Sequence, residues 1–76
     1  MINNRDKAIL ESFGKHLRTI RESKNLSQQQ LGYDARISKN QIGNIERGEV
    51  NATLISILAI SKALQILPEE LINFEK

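Results

Sequence analysis

The sequence predicts an all-α fold of five helices, on three observations. Apolar residues recur at intervals of three and four, and no stretch alternates apolar with polar as a half-buried strand would. Proline occurs once, at Pro68, where it can open a helix instead of breaking one. Serine precedes glutamine by three residues twice, at Ser27/Gln30 and Ser38/Gln41, the spacing of a capping box at a helix start.

The first helix is expected from about Asp6 to Ser23, with Ile9, Phe13, Leu17 and Ile20 on one face, before Lys24-Asn25 breaks the pattern. Ser27 and Ser38 then each accept from the backbone amide three residues on, and each glutamine side chain reaches back. Such a cap contributes about 0.5–2 kcal/mol. The separation of the two boxes leaves room for one helix of about eight residues and a short turn. Leu31 and Ala35 face inward from the second helix, Ile42 and Ile45 from the third, and Ile37 fills the turn. Gly48 ends the third helix. Thr53 caps a fourth through about Gln65, with Leu54, Ile57, Ile60 and Leu64 as its inward stripe. Pro68 opens a fifth through about Phe74, with Leu71 inward.

At 76 residues the chain is read as one domain, 1–76, near the lower size limit for a core stabilised unaided. It has no cysteine and one histidine, His16, which excludes disulfides and thiolate or imidazole zinc sites. A second copy of the chain is the remaining source of extra stabilisation. No apolar run approaches the roughly 18 residues of a membrane span. The segment Met1-Ile2-Asn3-Asn4-Arg5-Asp6 offers no signal-peptide core, so a cytoplasmic location is expected. Enzyme parts are missing as well. Gly14-Lys15 lacks the upstream glycine and following Ser/Thr of a phosphate loop, and Gly32, Gly43 and Gly48 form no dinucleotide fingerprint. No catalytic residue, cofactor or metal is expected, and His16 reads as a surface residue without function.

The formal net charge is +2. Residues 1–50 hold nine Lys/Arg against six Asp/Glu, and residues 51–76 hold two against three. A mildly basic front and a mildly acidic, apolar tail suit separate surfaces for separate partners.

Two short capped helices joined by a tight turn make a helix-turn-helix candidate. The residues sharpen it. Leu26-Ser27-Gln28-Gln29-Gln30-Leu31-Gly32, Ala35-Arg36-Ile37-Ser38 and Ile42-Gly43-Asn44-Ile45-Glu46-Arg47-Gly48 resemble the lambda-repressor-like (Cro/C1, xenobiotic-response-element type) helix-turn-helix family. Thr53-Leu54 through Ala63-Leu64-Gln65-Ile66 is similar to that family's fourth helix, and the resemblance covers roughly residues 13–72. It implies a five-helix DNA-binding domain and a sequence-specific transcriptional regulator, binding a near-palindromic double-stranded operator as a homodimer. Stand-alone members of that family of this size include phage repressors and restriction–modification controllers. The alternative is an antitoxin that binds a protein toxin and autoregulates its operon. A scaffold role without DNA is a third, weaker reading.

The resemblance places the helix that begins at Lys39 in the major groove, which is about 12 Å wide and admits one helix. Lys39, Asn40 and Asn44 then map to base-contacting positions. Lysine can donate to guanine O6 and N7, and asparagine can pair with an adenine edge. Gly43 carries no side chain to hold the backbone off the duplex. Gln28, Ser38, Gln41 and Arg47 are assigned to backbone phosphates or to bracing the readers, with Gln28 bracing Lys39. Arg21 and Glu46 match the family's structural ion pair. Arg36 stands where glycine is common at the turn, at a cost of about 1 kcal/mol if the positive φ is kept; it is expected to face solvent or a phosphate. Tyr33 on the second helix can touch a phosphate or cover the edge of the core, and the second is expected. The fourth and fifth helices, about 54–76, carry more apolar residues than one core needs, and Leu58, Ile72 and Phe74 are assigned to a dimer interface.

Overall fold

The structure is a computed structural model that describes residues 4–75, apart from the side chain of Arg5. Met1, Ile2 and Asn3, part of the segment read for a signal, and Lys76, the end of the expected dimer segment, lie outside the described residues. The chain forms α1 (Asn4–Ser23), α2 (Gln28–Ala35), α3 (Lys39–Glu46), α4 (Leu54–Leu64) and α5 (Pro68–Ile72). Among the described residues no helix is long and apolar enough to cross a membrane.

The helix starts follow local chemistry. Ser27 Oγ accepts from the Gln30 amide at 3.0 Å, Ser38 Oγ from the Gln41 amide at 3.1 Å, and Thr53 Oγ1 from the Ser56 amide at 3.0 Å. The return half of the two serine boxes is not made. Gln30 Nε2 donates instead to Asp34 one turn on, at 3.0 Å. In α5 the return half stands alone: Pro68 is the first residue and Glu70 Oε1 accepts from the Leu67 amide at 3.1 Å.

The helix ends repeat one motif four times. A residue in the left-handed region follows each of α1 to α4, and the next amide turns back to the carbonyl five residues earlier. The left-handed residues are Asn25, Arg36, Gly48 and Gln65, at φ 60°, 60°, 73° and 59°. The returning bonds run Leu26 to Arg21, Ile37 to Gly32, Glu49 to Asn44 and Ile66 to Ser61, at 2.8–3.2 Å. Three of the four positions thus carry a side chain where glycine would be relaxed, Arg36 among them, as expected.

One core gathers all five helices. Phe13 and Leu17 of α1, Leu31 and Ala35 of α2, Ile42 and Ile45 of α3, Ile60 and Leu64 of α4, and Leu71 of α5 are buried together. The expected α4 stripe is corrected at its start: Leu54, the first helical residue, is 69% exposed. Ser61 takes the fourth inward position, with its hydroxyl donating to the Leu58 carbonyl at 2.9 Å. The fifth helix stops at Ile72, two residues before the expected end. Asn73 leaves helical geometry at φ −87°, ψ 78°, and Phe74 turns back onto α1. Its ring lies 5.6 Å from that of Phe13 and 6.2 Å from that of His16.

His16 is therefore more than a surface residue. Its Nε2–H donates to the Glu70 carbonyl at 2.9 Å, one of the carbonyls left without an intrahelical partner at the end of α5. Gly14 also has a task the sequence did not reveal. A Cβ there would lie 2.3 Å from the Glu46 carbonyl oxygen and 2.6 Å from that of Ile45, so α1 and the end of α3 touch backbone to backbone.

Candidate nucleic-acid interface

The first turn of α3 presents Lys39, Asn40 and Gln41 to solvent, with Asn44 half-buried one turn on. Lys39 and Asn40 make no side-chain hydrogen bond or ion pair among the described residues, so their donors are free for a ligand. Beneath this turn Ile42 and Ile45 are buried, at 0% and 2% exposure, which fixes the roll of the helix about its axis. Ser38 sets its start through the cap on Gln41.

The end of α3 is clamped by charge. Arg21 Nε donates to Glu46 Oε2 at 2.6 Å and Nη2 to Oε1 at 3.0 Å, a bidentate pair with both side chains nearly excluded from solvent. Arg21 Nη1 also donates to the Leu26 carbonyl at 2.8 Å, and Gln28 Nε2 to Glu46 Oε1 at 3.0 Å. One carboxylate thus joins the last turn of α1, the first residue of α2 and the last residue of α3. The hydrogen bond to Glu46 raises the Arg21 pKa above its ordinary value and outweighs the opposing effect of burial, so the guanidinium stays charged. The expected Arg21–Glu46 pair is present. Gln28 differs: its amide is committed to Glu46 rather than to Lys39.

Arg47, just past α3, is exposed and folds back along the helix. Its Nε donates to Glu49 Oε2 at 3.0 Å and its Nη2 to Asn44 Oδ1 at 2.5 Å. The same arginine covers Gly43, where a Cβ would meet Arg47 Nη1 at 3.0 Å and Gln28 Oε1 at 3.6 Å. Gly43 is accordingly buried beneath side chains rather than bare. Tyr33 corrects another expectation: at 81% exposure it does not cover the core's edge. It borders an open groove with Gly32, Asp34, Arg36, Ile37 and Ser38 beside the turn, and Arg36 is exposed as well. Glu49 was missed. The one signal for it was Gly48, whose positive φ returns the next residue over the last turn of α3.

A helix clamped by its buried face, with polar donors free on its first turn and a second capped helix across a left-handed turn, defines a helix-turn-helix DNA-binding unit. The chain belongs to the helix-turn-helix family, whose pattern it matches over residues 17–71, and is a DNA-binding transcriptional regulator of the Cro/C1 type. Among relatives, it is 43% identical to control protein C.BamHI of Bacillus amyloliquefaciens over 63 residues, 82% of this chain and 78% of that one. The crystal structure of the restriction-modification controller protein C.AhdI from Aeromonas hydrophila superposes with a TM-score of 0.83 at 41% identity, over 84% of this chain and 97% of that one. The P22 c2 repressor in complex with a synthetic operator superposes at 0.74 with 33% identity, over 80% and 92% of the two chains.

Proposed function

We propose that the protein is a restriction–modification controller that acts as a homodimer on a near-palindromic operator, as a single domain in the cytoplasm. Lys39, Asn40 and Asn44 read base edges from the major groove. Gln28, Ser38, Gln41 and Arg47 serve the backbone contacts or hold the readers in place. The observation that carries the reading is the free polar first turn of α3 on a helix locked to the core by Ile42, Ile45 and the Arg21–Glu46 pair. A rigid support of this kind positions side chains to tenths of an ångström, which base readout requires. The similarity to C.BamHI and C.AhdI supports the controller assignment.

The dimer assignment rests on surplus apolar surface. Leu54, Ile55 and Leu58 of α4 are 69%, 74% and 43% exposed, and Ile72 of α5 is 49% exposed. Apolar side chains gathered on two adjoining helices mark an interface. Phe74 contributes less than the sequence suggested, because its ring is partly spent on Phe13. A two-fold axis through this surface would set two copies of α3 about 34 Å apart, one turn of DNA. Gel-shift titration and footprinting on the DNA upstream of the protein's own gene test the proposal. We expect a shift at far lower concentration than on random DNA, and two protected half-sites about one helical turn apart. Equal affinity for upstream and random DNA would refute it.

A further inference from the structure

We infer that Glu49 is a specificity-determining positioning residue, which acts through Arg47 to fix how Asn44 presents its amide to DNA. The inference rests on the reading of α3 as the base-contacting helix. Its starting point is the turn after that helix. Gly48 at φ 73° sends the chain back, and the Glu49 amide donates to the Asn44 carbonyl at 2.9 Å. Glu49 is thereby anchored over the residue it serves.

Its carboxylate then takes the Arg47 guanidinium by two atoms, Nε to Oε2 at 3.0 Å and Nη2 to Oε1 at 3.4 Å. The same Nη2 donates to Asn44 Oδ1 at 2.5 Å. Arginine has donors only, so the Asn44 group facing it must be the carbonyl oxygen. An unrestrained asparagine amide can turn over and offer either end. Here Oδ1 is held by the guanidinium, and the Nδ2 hydrogens form the unengaged end. Asn44 held this way favours acceptors in the major groove, guanine O6 and N7, adenine N7 or thymine O4, over the amino groups of adenine and cytosine. Room for the device comes from Gly43, where a Cβ would meet Arg47 Nη1 at 3.0 Å.

Glu49 has a second effect on the same atoms. A guanidinium paired with a carboxylate is withheld from phosphate, so Glu49 also lowers affinity for DNA of any sequence. The pair is about half exposed, at 56% and 57%, so its effect on both readouts is modest.

Selection from a random duplex pool tests the inference and needs no operator sequence in advance. Wild type, Asn44→Ala, Glu49→Ala and Glu49→Gln are each carried through selection and sequencing, and binding to random DNA is titrated in parallel. The position that loses its preference in Asn44→Ala is the one Asn44 reads. In Glu49→Ala we expect preference at that position to fall about twofold to fivefold while the others persist, and random-DNA binding to strengthen by a similar factor. Glu49→Gln, whose carbonyl can still accept from Arg47, should keep the Asn44 preference. An unchanged Glu49→Ala profile, or one flattened evenly at every position, would overturn the role given to Glu49 and leave the DNA-binding reading intact. A wild-type protein that enriches no sequence would overturn both.

Discussion

Replacing Glu46 by alanine removes the hub of the only buried charge network among the described residues. Arg21 would keep its bond to the Leu26 carbonyl but lose two carboxylate bonds, at 2.6 and 3.0 Å, with only 9% of its side chain exposed. The Gln28 amide would lose its acceptor at 3.0 Å as well. Stranding one member of a buried pair costs about 3–5 kcal/mol. A chain of this size holds about 4–11 kcal/mol in all, at about 0.05–0.15 kcal/mol per residue. Glu46→Ala should therefore lose a large share of the margin, and the loss should appear as a drop in the urea midpoint followed by far-UV circular dichroism. Adding Arg21→Met to Glu46→Ala should restore part of it, because no unpaired cation is then buried. A loss under about 1 kcal/mol, the scale of an exposed pair, would refute the reasoning. So would a double variant no more stable than the single one.

Gly14→Ala should cost about 1–3 kcal/mol or more, because its Cβ would meet the Glu46 and Ile45 carbonyl oxygens at 2.3 and 2.6 Å and the backbone must shift. Gly43→Ala is the contrast: the nearest atom is the flexible end of Arg47, at 3.0 Å, with Gln28 Oε1 in ordinary contact at 3.6 Å, so thermal unfolding should show little change or a gain. Arg36→Gly should stabilise by about 0.5–1 kcal/mol in urea unfolding, since φ 60° strains arginine and not glycine; a loss would show that the arginine side chain contributes more than the strain costs. Leu58→Asp with Ile72→Asp should leave a folded chain of half the sedimenting mass and weaken operator binding by orders of magnitude, although no DNA-facing residue has changed. A dimer of wild-type strength would place the interface elsewhere.

Local chemistry made most of the fold legible in the sequence. Ser27, Ser38 and Thr53 cap the helices they were expected to cap, because a cap needs only residues three apart. The stripes of α1, α2 and α3 were legible for the same reason, and the motif around Glu46 carried the distant pairing with Arg21. What escaped depends on meetings between remote segments. His16 and Phe74 acquire their roles only when α5 folds back on α1, and the spacing of residues 12–16 cannot show that. Gly14 is an ordinary helical glycine until α3 passes within touching distance. Leu54 fits the periodicity of α4 yet lies beyond the end of the core, so a correct pattern gave an incorrect burial. Tyr33 is expected at the core's edge, yet its position on α2 turns it outward. At the site, Lys39, Asn40 and Asn44 were legible as polar residues on the first two turns of a capped helix. The network of Arg47, Glu49 and Asn44 was not, because it depends on the path of the chain after Gly48.

The ratio of operator affinity to random-DNA affinity, measured for wild type and Asn40→Ala under the same salt, tests the central claim most directly. If the first turn of α3 reads bases, the substitution lowers that ratio by about fivefold to 150-fold, or about 1–3 kcal/mol, and leaves random-DNA binding where it was. If both affinities fall together, or neither changes, Asn40 reads no base and the assignment of α3 as the recognition helix is contradicted.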